Sequence, residues 1–251
     1  MEENVTKSKL KFPTETVELP SKGLIYPKDN PLSSGKLEMK YMTAKEEDIL
    51  TNTNYIQKGT VLDKLLESLI VSKINYNDLI TGDKNALLIA ARVLGYGKDY
   101  EFSYAGQTLS VDLTTLEDKN LNTKDLIEEG INEFEFSLPS SKTTVTFKLL
   151  THGDERSIDR ELQGLKKIRK DIVPEATTRL KYMITSVDGD REKKTIREFV
   201  DNYLLAIDAR SLREEIRRVS PDVELKYYGD DVEEAITIPV DLTFFWPDAR
   251  I

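Results

Sequence analysis

The first 43 residues set the tightest limit on what this chain can fold into. Four prolines (Pro13, Pro20, Pro27 and Pro31) and two glycines (Gly23 and Gly35) punctuate them. A proline lacks the amide a helix needs and clashes with the preceding turn, so a helix is precluded and extended segments joined by turns are expected. Thr14-Glu15-Thr16-Val17-Glu18-Leu19 alternates, and so does Leu37, Met39, Tyr41 with Glu38 and Lys40 on the opposite face. The first reads as an extended segment and the second as a short strand. Such an arm cannot bury its own apolar side chains and must lie on the rest of the chain or on a partner.

Helical signals begin at Thr43-Ala44-Lys45-Glu46, which has the form of a capping box. A second helix is expected from Thr60, where Leu62, Leu65, Leu66, Leu69 and Ile70 recur at core-facing spacing. A third follows Gly82, with Asp83 as its cap, and stops at Gly95. Two hairpins come next. Tyr100–Tyr104 and Thr108–Leu113 flank Ala105-Gly106-Gln107, and Phe134–Leu138 and Thr143–Leu149 flank Pro139-Ser140-Ser141-Lys142. Leu121 to Glu129, between them, reads as a short helix or turn.

The remainder reads as largely helical: 154–173 up to Pro174, then 175–187 up to the turn Asp188-Gly189-Asp190. Ile196, Phe199, Val200, Tyr203, Leu204 and Ile207 make one apolar stripe, and Ser211-Leu212-Arg213-Glu214 is a second capping-box pattern. Val223–Tyr228 and Ala235–Phe245 read as strands. The expected fold class is therefore α+β: mixed, helix-rich, with β-hairpins and an extended N-terminal arm. The expected divisions are an arm at 1–43, a helical segment with the first hairpin at 44–130, and the second hairpin, helices and terminal strands at 131–251.

Composition narrows the chemistry. The chain of 251 residues has no cysteine and one histidine, His152. That removes disulfides, thiolate metal sites and cysteine nucleophiles, and any site within the chain that needs two imidazoles. Lys and Arg number 36 against 45 Asp and Glu, a net charge of −9, which argues against a general nucleic-acid binder. No apolar run approaches the roughly 20 residues that span a bilayer. The start, MEENVTKSKLKF, lacks the apolar stretch of a signal peptide, so a cytosolic product is expected.

Candidate chemical motifs resolve into structural ones. Gly95-Tyr96-Gly97-Lys98 lacks the spacing of a phosphate loop and reads as a helix end. Asp188-Gly189-Asp190-Arg191-Glu192 lacks the order of a calcium loop and reads as a solvated turn. His152 with Asp154 and Glu155 precedes a helix, where Thr151 or Asp154 would cap. No catalytic residue, cofactor site or metal site is expected. The basic runs on the 154–173 helix and at Arg213, Arg217 and Arg218 read first as solvated faces and second as partner surfaces.

Two segments carry apolar and aromatic residues that could be core or, if exposed, anchors for a partner. They are the arm, with Leu19, Pro20, Ser21, Lys22, Gly23 and Tyr26, and the terminus Phe244-Phe245-Trp246.

At Leu19-Pro20-Ser21-Lys22-Gly23-Leu24-Ile25-Tyr26-Pro27 the chain resembles the baseplate hub and hub-assembly proteins of T-even type contractile-tailed bacteriophages. The likeness continues through Met42-Thr43-Ala44-Lys45-Glu46-Glu47-Asp48-Ile49-Leu50 and Gly59-Thr60-Val61-Leu62-Asp63-Lys64-Leu65-Leu66, and more weakly to Phe244-Phe245-Trp246-Pro247. The resemblance implies a non-enzymatic part in the tail baseplate hub, as a virion subunit or an assembly chaperone. Its partners would be other hub or tail proteins, the tape-measure protein among them, with no nucleic acid and no membrane span. It would be found in the virion tail baseplate, and in the host cytoplasm during assembly. Some members of that family carry a Cys-x-x-Cys pair in the first hairpin, near Ser103 to Gln107. This chain has no cysteine there, so a metal-stapled ribbon is not expected. The enzymatic alternative is a phage-encoded hydrolase of cell-wall glycan using carboxylates and His152.

Overall fold

The arm closes on itself as a hairpin. In the computed structural model, which describes residues 13–168, 174–229 and 234–245, β1 (Thr14–Glu18) pairs antiparallel with β2 (Lys36–Lys40), Val17 opposite Leu37. Between them the chain reverses through Lys22 and Gly23, both at positive φ, and through Gly35. A Cβ on Gly23 would stand 2.4 Å from the Ser33 carbonyl oxygen, so only glycine allows the two limbs of the loop to meet.

Eight α-helices surround five small sheets among the described residues, an α+β fold. The capping box at Thr43 opens α1 (Ala44–Leu50). A short α2 (Thr53–Gln57) follows, and the leucine stripe forms α3 (Val61–Leu69). The next helix, α4 (Thr81–Tyr96), starts three residues earlier than a cap at Asp83 would set it and ends at Gly97 rather than Gly95. Arg92 closes its C-terminal end. It lies almost wholly out of water and donates to the carbonyls of Gly97 at 2.9 Å and Asp99 at 3.2 Å.

The first hairpin, β3 (Asp99–Tyr104) with β4 (Gln107–Asp112), forms as expected, and the short helix or turn expected over 121–129 is a 3₁₀ turn at Thr123–Asp125. The second hairpin, β6 (Phe134–Ser137) with β7 (Thr144–Phe147), acquires a third strand. The helix expected over 175–187 stops as α6 (Glu175–Met183), and Ile184–Val187 becomes β8 on the edge of β7. Three β-branched residues lie in Ile-Thr-Ser-Val, which suits a strand, and pairing with β7 satisfies backbone groups that a helix would otherwise hold.

Two further expectations fail. Ser211 caps nothing: α8 (Ala206–Val219) begins five residues earlier, and Ser211 lies inside it. The C-terminal region is not two long strands. It holds β9 (Asp222–Val223), β10 (Lys226–Tyr227), β11 (Ile236–Thr237) and a 3₁₀ turn at Leu242–Phe245. β9 pairs with β5 (Asp118–Lys119), which ties the last third of the chain to the middle. One hydrophobic cluster runs from Leu19 to Phe245 and draws on all three stretches of sequence.

Candidate interaction surface

The arm is clasped to α4 by a buried carboxylate. Asp83, fully enclosed, accepts from the Ser21 amide at 3.0 Å, the Ser21 hydroxyl at 2.8 Å and the Tyr26 phenol at 2.6 Å. Burial pushes this carboxyl up, opposed by its three donors, and the same burial pushes the Tyr26 phenol far up. Asp83 is therefore not a helix cap but the anchor of the arm. Leu19, Pro20, Ser21, Gly23 and Tyr26 are all buried against their own chain, and only Lys22 faces solvent, ion-paired with Glu18 at 3.2 Å. In this conformation the arm residues singled out as partner anchors are core residues, Lys22 excepted.

The terminal aromatics are placed in the same way. Phe244 and Phe245 are fully buried, and Phe244 meets Tyr100 edge-on at 4.7 Å between centroids. Trp246 lies outside the described residues.

His152 stands at the first position of α5 (His152–Ile168), which Thr151 and Asp154 cap reciprocally. Its amide donates to Leu79 O at 2.7 Å, its ring meets Tyr76 edge-on at 4.8 Å, and Nδ1 lies 3.2 Å from Lys84 Nζ. Lys84 and Tyr76 both donate to Asp63 Oδ1, at 2.6 and 2.9 Å. Burial raises the Asp63 carboxyl, but its hydrogen bonds from Lys84 and Tyr76 override this and hold it low. Burial, then the Lys84 charge, push the imidazole down, so the ring is held neutral. Asp63 and Lys84 also line a cavity of about 410 Å³ with Leu62, Leu66, Leu88 and Leu242, and His152 does not line it.

The exposed apolar surface is elsewhere. The stripe Ile196 to Ile207 is split because α7 (Lys193–Asn202) ends before α8 begins. Ile196, Phe199 and Val200 enter the core, whereas Tyr203 is 63% exposed, Leu205 49% and Ile207 60%. The elbow is held from within. Asp208, enclosed, accepts from the amides of Ser140 and Ser141 at 2.8 and 2.9 Å, so α8 starts against the turn of the second hairpin. Along α5 a second stripe rises out of the fold, from buried Ile158 through half-buried Leu162 and Leu165 to Ile168, which is 80% exposed. Sequence periodicity flags both stripes but not which residues a chain reversal turns outward.

Comparison with protein-family models, curated proteins and solved structures finds no match to this chain. Among the described residues no helix is long and apolar enough to cross a membrane, and no three acidic or histidine side chains are grouped to hold a metal ion.

Proposed function

We propose that the chain acts through protein–protein contacts as a baseplate hub component, or hub-assembly factor, of a contractile-tailed bacteriophage. The observation that carries this reading is the elbow of Tyr203, Leu205 and Ile207. Three large apolar side chains face water there, on a backbone fixed from below by Asp208. Isolated exposed apolar residues need no explanation, but three within five residues of one elbow, a tyrosine among them, suit a docking patch. The resemblance carried by Leu19–Pro27 supplies the biological setting. Other hub or tail proteins are the partners it implies, and the virion tail baseplate the place.

Leu205→Asp with Ile207→Asp tests the reading. The double variant should fold with an unchanged melting temperature and fail to assemble with the tail proteins encoded beside it. Undiminished assembly would sink the proposal. Mass spectrometry of purified virions then separates its two forms: fixed stoichiometry for a subunit, absence despite a requirement in assembly for a chaperone.

The hydrolase reading has less support. Glycoside hydrolysis calls for two carboxyl groups spaced about 5–9.5 Å apart across the scissile bond. Around His152 the hydrogen-bonded carboxylate is Asp63, already engaged by Lys84 and Tyr76. His152→Ala that abolished a glycan-cleaving activity without harming assembly would favour it.

A further inference from the structure

A cleft of about 350 Å³ opens between the start of α5, the end of α6, β8 and the start of α7. Five cations reach it from different elements: Lys148, Lys181, Arg191, Lys193 and Arg197, against one lining carboxylate, Asp154. Four of the five are ion-paired, with Asp154, Asp201, Glu133 and Glu161, and among the described residues Lys193 is left unbalanced in a chain of net charge −9. Ile184 and Ile196, both nearly fully buried, lie at its base, and Tyr182 and Thr185 complete the lining.

Most of these cations have an internal partner, which by itself would suggest ordinary structural ion pairs. Three observations point further. First, in both arginine pairs the cation is the outward member. The Arg191 side chain is 63% exposed over a Glu133 that is 12% exposed, and that of Arg197 47% over a Glu161 that is 24% exposed. Second, donors remain. Each arginine gives one N–H of Nη1 and one of Nη2 to its glutamate, which leaves Nε–H and a second N–H on each Nη, and Lys181 has one carboxylate, Asp201, for three donors. Third, exposed Lys193 has no carboxylate within 4.0 Å among the described residues and stands in the first turn of α7, where the helix dipole adds positive potential.

We infer that this cleft binds an acidic peptide segment of a protein partner, its carboxylates on Arg191, Lys193 and Arg197. The inference rests on the reading of the chain as a protein-binding component and names the chemistry of one partner segment. Charge and spacing select this ligand: a chain of net charge −9 repels a polynucleotide beyond the cleft, and cations on separate segments suit several carboxylates along a peptide better than one inorganic anion.

Fluorescence anisotropy with a labelled peptide of alternating Glu and Leu, against the same peptide with Gln for Glu, tests it on the full chain. The Glu peptide should bind, weaken as salt rises, and outbind the Gln control by about tenfold or more. Lys193→Glu should cost roughly another tenfold while keeping the fold, because a carboxylate is favourable in the first turn of a helix. Arg197→Gln, which removes the charge and keeps a polar side chain, should act in the same direction. Equal binding of the two peptides, or indifference to Lys193→Glu, overturns the inference. So does Lys193-dependent binding of inorganic phosphate, or of a single-stranded oligonucleotide, that exceeds peptide binding. Leu205→Asp should leave peptide affinity unchanged, so failure of the assembly reading shows up separately, in virion composition.

Discussion

The Tyr26 phenol donates to Asp83 Oδ2 at 2.6 Å across 57 residues of sequence, inside a site closed to water. That bond and the two from Ser21 convert a proline-punctuated arm into part of the core. Asp83→Ala leaves three buried donors without an acceptor and should cost about 3 kcal/mol or more in urea unfolding, whereas Asp83→Asn retains one acceptor and should cost less. The folded carboxyl titrates above its ordinary value, so its contribution is full below that value and is lost as pH rises through the raised one. Asp83→Asn should remove that declining limb.

Removal of residues 1–42 should unfold the protein rather than expose a docking surface. Leu19, Ile25, Leu32, Leu37 and Met39 would leave the core, each an aliphatic deletion of about 2–5 kcal/mol when made alone. Loss of the cooperative melting transition is the expected readout.

Gly82 is required by proximity alone. A Cβ there would stand 1.9 Å from the Pro221 carbonyl oxygen, where the start of α4 meets the strand that follows α8. Gly82→Ala should therefore destabilise by about 2 kcal/mol or more, although alanine is the better helix former. A melting temperature equal to the parent's would refute this.

Glu46 couples α1 to acid. Its carboxylate accepts from the Thr43 amide at 3.0 Å, the Thr43 hydroxyl at 2.6 Å, Ser68 at 2.8 Å and Lys40 at 2.8 Å. Burial raises its pKa, but these partners prevail and hold it at about 2, below the ordinary 4.5. A depressed carboxyl contributes stability above the ordinary value and loses it as pH falls through the folded one. Glu46→Gln should thus be less stable at neutral pH, and its acid unfolding should be flatter between pH 4.5 and about 2.

The pair Lys84–His152 predicts a second, milder acid sensitivity. With its pKa pushed below 6.5, the buried imidazole resists protonation that the unfolded chain accepts, so stability falls as pH drops through and below that value. Lys84→Met removes the facing cation and should raise the His152 pKa, read from the imidazole proton shifts by NMR. An unchanged or lower value would show that Lys84 does not act on the ring.

The helices whose apolar residues recur over two or more turns, α3 and α4, were legible in the sequence, and so were the two hairpins marked by turn residues. Less legible was whatever depends on a distant strand or a single chain reversal. Ile184–Val187 follows a helix without a break, and only β7, some forty residues upstream, makes it a strand. Ser211 has the letters of a cap but sits mid-helix, because the preceding residues reach back to Leu205 and Asp208 finds the hairpin turn. Asp83 looked like a local cap because its true donors lie 57 and 62 residues away. The cationic cleft assembles residues from four elements, and each alone reads as a solvated charge.

The pairing of β5 with β9 bears on how the chain is made. Lys119 leaves the ribosome roughly a hundred residues before its partner Asp222, which at about 5–20 residues per second is a delay on the order of 5–20 s. The clasp of the arm on α4 needs nothing made later than α4 itself, so it can close during that interval. The edge of β5 and the notch at Gly82 stay open until the C-terminal third is synthesised. A nascent chain stalled in that interval would be one whose arm is already shut while its far side is still open to a chaperone.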